Sequence, residues 1–206
     1  MKVTKVFAAA VVLFALAGQA ARAQVPGLPF YPTPTGMGVL AAAEYAHGAN
    51  SRTMLAARAG IGFGPFGVTA VAGQYKGGTG LSTQVAYGGS VAMKVFGGGL
   101  LPVSISVQGG VGQVKDVLST HTITYMPVGA AVRANLPLFP IKPFAVGYYV
   151  LGSNLGSNLK KEFRATVGAD FNLLLGLGFH AAYDMGKANA WGIGAHFNFR
   201  MPIPMM

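Results

Sequence analysis

Glu162-Phe163-Arg164-Ala165-Thr166-Val167-Gly168-Ala169-Asp170-Phe171-Asn172 decides the fold. Phe163, Ala165, Val167, Ala169 and Phe171 form one face of this stretch. Glu162, Arg164, Thr166, Gly168, Asp170 and Asn172 form the other. A repeat of two is the side-chain alternation of a β-strand. The same pattern sets Trp191, Ile193, Ala195, Phe197 and Phe199 against Gly192, Gly194, His196, Asn198 and Arg200. It sets Val85, Tyr87, Val91, Met93 and Val95 against Gln84, Ala86, Gly88, Ser90, Ala92 and Lys94. In 53–63, Thr53, Leu55, Ala57, Ala59, Ile61 and Phe63 oppose Arg52, Met54, Ala56, Arg58, Gly60 and Gly62.

Working outward, ten such blocks are expected, near 38–47, 51–63, 67–76, 82–96, 102–114, 119–135, 142–152, 161–172, 175–184 and 190–200. Gly-, Asn- and Pro-rich turns separate them. Alternate turns differ in chemistry. The second, fourth, sixth and eighth are apolar or contain proline, as in Gly64-Pro65-Phe66 and Leu173 to Leu175, and the odd-numbered ones are polar. Two chemically different sides of a membrane produce that alternation. With a periplasmic N-terminus, the odd turns face outside.

Composition agrees with a membrane strand protein. Hydrophobic residues make up 52% of the 206 and charged residues 10%, with 31 glycines. That is too apolar for a disordered chain. No cysteine is present, which excludes disulfides and thiolate chemistry. Beyond the N-terminal region no apolar run is long enough for a spanning helix. In a soluble sandwich the apolar faces pack together and charges point to water. In a membrane barrel the apolar face meets lipid and the polar face lines a narrow interior, where small residues should dominate. Here the polar face is Gly, Ala and Ser with isolated charges. Only Lys142 and Lys161, at strand ends, break the rule. The expected fold is therefore all-β: a closed antiparallel transmembrane β-barrel of about ten strands in meander order, with eight strands as runner-up.

Four segments are expected. Residues 1–23 read as a cleaved secretory signal: Lys2 and Lys5, an apolar run from Val6 to Gly18, then Ala21-Arg22-Ala23. Residues 24–36 form a proline-rich, extended leader. Residues 37–200 form the barrel and 201–206 a tail. The signal holds three of the 15 basic residues and no acid. The remaining 183 residues carry 12 basic and 5 acidic side chains, net +7. Such a balance suits nucleic acid or an anionic surface. The charges are scattered singly except for Lys160-Lys161, so a nucleic-acid partner is not expected.

With its signal segment, even-stranded alternation and last strand Ala190-Trp191-Gly192-Ile193-Gly194-Ala195-His196-Phe197-Asn198-Phe199, the chain resembles the small bacterial outer-membrane β-barrels over residues 37–200. The resemblance implies outer-membrane localisation, outer-membrane lipids as surroundings, and barrel-assembly machinery that reads a C-terminal strand ending in an aromatic. Here Arg200 to Met206 follow Phe199. Such folds host many functions.

The expected role is passive: a narrow pore or a structural membrane protein, with small anions weakly preferred if the lumen is open. That preference rests on the inward bases Arg52, Arg58, Lys76, Lys94, Arg133, Arg164 and Arg200 outnumbering Glu44, Glu162, Asp170 and Asp184. Glu44 with Arg52 and Arg58 reads as an interior ion network or a constriction. Asp170, His180 and His196 share inward parity on neighbouring strands and read as a lumen polar network. A divalent-metal or proton-transfer site is the sharper alternative. No metal or other cofactor and no catalytic residue is assigned. Ser82, Ser119, Thr120 and His121 lack the third group a hydrolytic triad needs. The chain is thus not expected to be an enzyme, and an outer-membrane lipid-modifying enzyme is the least favoured class. A cell-surface binding barrel is the runner-up, weakened by polar turns of only about 4–9 residues. Tyr31, Tyr45, Tyr75, Tyr148, Trp191 and Phe199 are expected in aromatic girdles. The lumen is either open or filled, by side chains or by the leader.

Overall fold

The computed structural model describes residues 28–97, 101–115, 122–135, 139–153 and 161–200. The signal segment, leader residues 24–27, the tail, and Ser119, Thr120 and His121 lie outside the described residues. Ten strands follow one another: β1 (Gly38–Gly48), β2 (Arg52–Phe63), β3 (Phe66–Lys76), β4 (Thr83–Gly97), β5 (Val103–Lys115), β6 (Thr122–Ala134), β7 (Ile141–Ser153), β8 (Glu162–Asn172), β9 (Leu177–Met185) and β10 (Ala190–Arg200). Each pairs antiparallel with its sequence neighbours, and β1 pairs β10 from Gly38↔Arg200 to Gly48↔Ala190. The sheet is therefore a closed ten-stranded meander, and the eight-stranded alternative is set aside. Closure leaves no strand edge unpaired.

The apolar faces point out. Phe163, Val85, Leu55 and Phe179 are 68%, 66%, 61% and 56% exposed. The polar parity points in, as expected for β2, β4, β8 and β10. Meander order gathers the even-numbered turns at one end of the barrel, together with Gly38 and Arg200. Exposed Leu101, Phe139, Leu173 and Leu175 mark that end. The odd-numbered turns gather at the other. Two irregularities interrupt the ladder. The β4–β5 register shifts between Lys94 and Phe96, a bulge that turns both Val95 and Phe96 outward. The β5–β6 pairing steps from Gly109↔Val128 to Gly112↔Tyr125 around Pro127, which has no N–H to give.

Three expectations are corrected. Lys76 is expected in the lumen, but on β3 the inward residues are Gly67, Thr69, Val71, Gly73 and Tyr75, so Lys76 ends the strand on the outside. Lys142 is expected on the apolar face. It shares the inward parity of Phe144 and pairs in register with Asp170. Small residues line much of the lumen, but not the inward face of β7. Phe144, Val146, Tyr148 and Val150 of β7, with Met54, Val71, Tyr75 and Val114, make an apolar core inside the barrel. Tyr75 and Tyr148 therefore leave the expected girdle, while Tyr45, Trp191 and Phe199 face out.

Candidate functional site

What this core packs against is the leader. Leu28, Phe30, Tyr31 and Thr33 are all at most 5% exposed although they belong to no strand. The segment runs inside the barrel to Gly36, whose N–H donates to the Gly64 carbonyl at the turn between β2 and β3 (2.8 Å). Tyr31 is thus a lumen residue, not a girdle residue.

Polar side chains of the wall take the place of a sheet neighbour for this chain. Thr33 N–H donates to Gln108 Oε1 (3.0 Å), and Gln108 Nε2 donates to the Tyr31 carbonyl (3.3 Å). Phe30 N–H donates to Thr166 Oγ1 (3.2 Å). The Thr33 hydroxyl shares a chain of short bonds with Ser90 (2.5 Å) and, beyond it, Thr69 (2.6 Å). A backbone buried without such partners would cost about 1–3 kcal/mol per unmet group. Prolines suit the position, because they fix an extended chain and need fewer donors met. Gly67 leaves the room: a Cβ there would lie 1.7 Å from the Pro34 carbonyl oxygen. Phe30 meets Tyr148 edge-on at 5.1 Å between ring centres, and Tyr31 meets His180 at 4.8 Å and Phe144 at 6.1 Å.

Around the leader lie two charged groups. Toward the odd-turn end, Arg164 pairs with Glu162 (2.6 Å) and with Asp184, and gives a further bond to the Ala188 carbonyl (2.7 Å). Asp184 also accepts from the Tyr148 hydroxyl (2.7 Å) and the Thr166 hydroxyl (2.8 Å). Nearer the other end, Arg58 Nε lies 2.6 Å from Glu44 Oε1, and the Arg58 guanidinium stacks over the Tyr31 ring at 4.4 Å. His180 Nε2 faces the same Glu44 oxygen at 3.4 Å. The Nδ1 atoms of His180 and His196 are 3.2 Å apart. Arg133 pairs with Asp170 across β7 (3.1 Å).

The structure thus joins most of the residues singled out in the sequence. Glu44 and Arg58 form an ion pair, with Arg52 farther along β2 toward the odd-turn end. Asp170 stands directly opposite His180, while His180 and His196 meet diagonally, since their register partners are Gly194 and Gly178. Lys94 is half-buried on the inward face of β4. For Arg200 the backbone pairs with Gly38, and its side chain lies outside the described residues. Sequence reasoning missed Asp184 as the hub beside Arg164. It also missed Gln108, Ser90 and Thr69 as leader contacts, although all three share their strands' inward parity.

No protein-family model and no curated protein matches the chain. Among solved structures, a de novo designed transmembrane β-barrel aligns at TM-score 0.43 and 10% identity, covering 82% of this chain and 100% of that one. The N-terminal β-barrel domain of Pseudomonas aeruginosa OprF aligns at 0.42 and 13%, covering 81% and 100%. A loop-deletion form of OmpT, an outer membrane protein of Vibrio cholerae, aligns at 0.36 and 20%, covering 72% and 54%. All are distant likenesses.

Proposed function

We propose that the chain is an integral outer-membrane barrel with a passive, non-enzymatic role, held closed by its own leader. The observation that carries this reading is the leader inside the lumen, with its backbone bonded to Gln108 and Thr166. The outward apolar face supports a lipid surround, because a closed barrel is the strand arrangement that leaves no backbone group unmet in hydrocarbon. A structural role fits a filled interior better than steady conduction does. Barrel-assembly machinery is the partner such a protein needs on its way to the membrane.

Weak anion preference belongs to the opened form. Among the described side chains, Arg52, Arg58, Lys94, Arg133, Lys142 and Arg164 face in against Glu44, Glu162, Asp170 and Asp184. Six bases against four acids leave a modest positive excess.

The test is single-channel recording under a salt gradient. The chain lacking residues 1–23 should be silent. Deletion of 24–36 as well should give discrete steps with a reversal potential on the anion side. Equal, steady conductance from both chains would overturn the closed-lumen reading.

A further inference from the structure

We propose that Asp170, His180 and His196 form a lumen site for one divalent transition-metal ion of the zinc class. Three observations build it. One donor atom from each residue lies within 4.8 Å of the other two. The two histidine Nδ1 atoms sit 3.2 Å apart. Two ligands of a tetrahedral ion at zinc–nitrogen distance are separated by about 3.3 Å, so the pair already stands at ligand spacing. A small rotation of Asp170 completes a two-imidazole, one-carboxylate set, with a fourth position left for water.

The second observation is the far side of His180. Its ring is fully buried, and its Nε2 makes no hydrogen bond of ordinary geometry while facing Glu44 Oε1 at 3.4 Å. A carboxylate behind a ligating histidine holds the other ring N–H and fixes which nitrogen meets the metal. Glu44 stands in that position, and Arg58 holds Glu44 in turn. With Nε2 carrying the proton, Nδ1 of His180 accepts the hydrogen bond from His196 Nδ1, and a bound ion takes the place of that shared proton.

The third observation is the space made for the rings. A Cβ on Gly194 would lie 2.6 Å from the His180 ring, and one on Gly178 would lie 2.5 Å from His196 Nε2. These glycines are the register partners of the two histidines, so each imidazole lies flat over a neighbour that has no side chain. Tyr31 of the leader covers His180 from the lumen side. Of the cations nearby, Arg58 is paired with Glu44 and Arg133 with Asp170 Oδ2, and Lys142 stands opposite Asp170 in register, so the ion competes with these bases for the carboxylate.

The experiment uses the untagged chain lacking residues 1–23, folded in detergent and stripped with chelator. Cobalt is titrated in and visible absorption recorded. One ion per chain is expected, with the intense bands of tetrahedral cobalt, bleached by added zinc. His196→Gln should abolish the bands, and His47→Gln should leave them. Folding of each variant is checked by heat-dependent gel mobility. A second readout needs no variant: zinc, and not magnesium, should raise the unfolding temperature of the wild-type barrel. Absence of the bands in the folded wild type, absence of the zinc shift, or bands that persist in His180→Asn/His196→Gln would each overturn the site.

Discussion

Glu44 carries much of the lumen's electrostatics in one side chain. It is 1% exposed, so its charge is held by Arg58 and by the His180 ring rather than by water. Removing one member of a buried pair leaves the other uncompensated, at a cost of about 3–5 kcal/mol. Glu44→Gln should therefore lower the unfolding free energy by that order, read as a lower urea midpoint. The double variant Glu44→Gln/Arg58→Met should recover most of the loss, since no lone charge remains. Additivity of the two single changes would show that the pair is not coupled. At this scale the sequence was informative only in part. Parity placed Glu44, Arg58, Asp170, His180 and His196 on one interior face. It could not give the diagonal by which His180 and His196 meet, because that depends on the β9–β10 register, and register is set by the turn. Nor did parity read correctly for Lys142, since Pro143 to Tyr149, which follow it, carry no charge on either face.

Elements show the same division more sharply. β8 and β10 were legible because lipid-facing and lumen-facing residues differ in kind along them. β7 hid its inward residues, Phe144, Val146, Tyr148 and Val150, because the leader gives them an apolar partner and no polar contrast survives. The leader's extended form could be read from its prolines, but its place in the lumen stood only as one alternative, since its wall partners Ser90, Gln108 and Thr166 lie on distant strands. Gly67 is the point at which wall and leader compete for space. Gly67→Val places a side chain where the Pro34 carbonyl stands, while β3 keeps its pairing with β2 and β4. The variant should fold and conduct like the chain without residues 24–36. A folded, silent Gly67→Val channel would mean that the leader can shift without leaving.

On the scale of the whole molecule, the inside and outside of the barrel obey opposite rules. The interior tolerates ion pairs because they are closed among themselves. Among the described residues the exterior carries no charge at mid-height. Val167 stands at the centre of β8, facing out and 43% exposed. Val167→Arg should cost about 2–4 kcal/mol when the barrel unfolds from lipid. The same change should be much milder in a detergent micelle, which deforms around the charge. An equal effect in both would argue against a hydrocarbon surround. The closed ten-stranded order was legible in advance because it follows from counting alternating blocks and from the rule that backbone in lipid must be paired.

The leader is joined to β1 through Met37 alone, just beyond the Gly36–Gly64 bond. It fills the lumen on a very short leash. A short tether confers an effective concentration of roughly millimolar, and its return to the lumen does not depend on how much protein is present. A free peptide of the same sequence at micromolar strength is therefore outcompeted wherever the leader is intact. It finds a vacancy only in a barrel from which the leader has been cut.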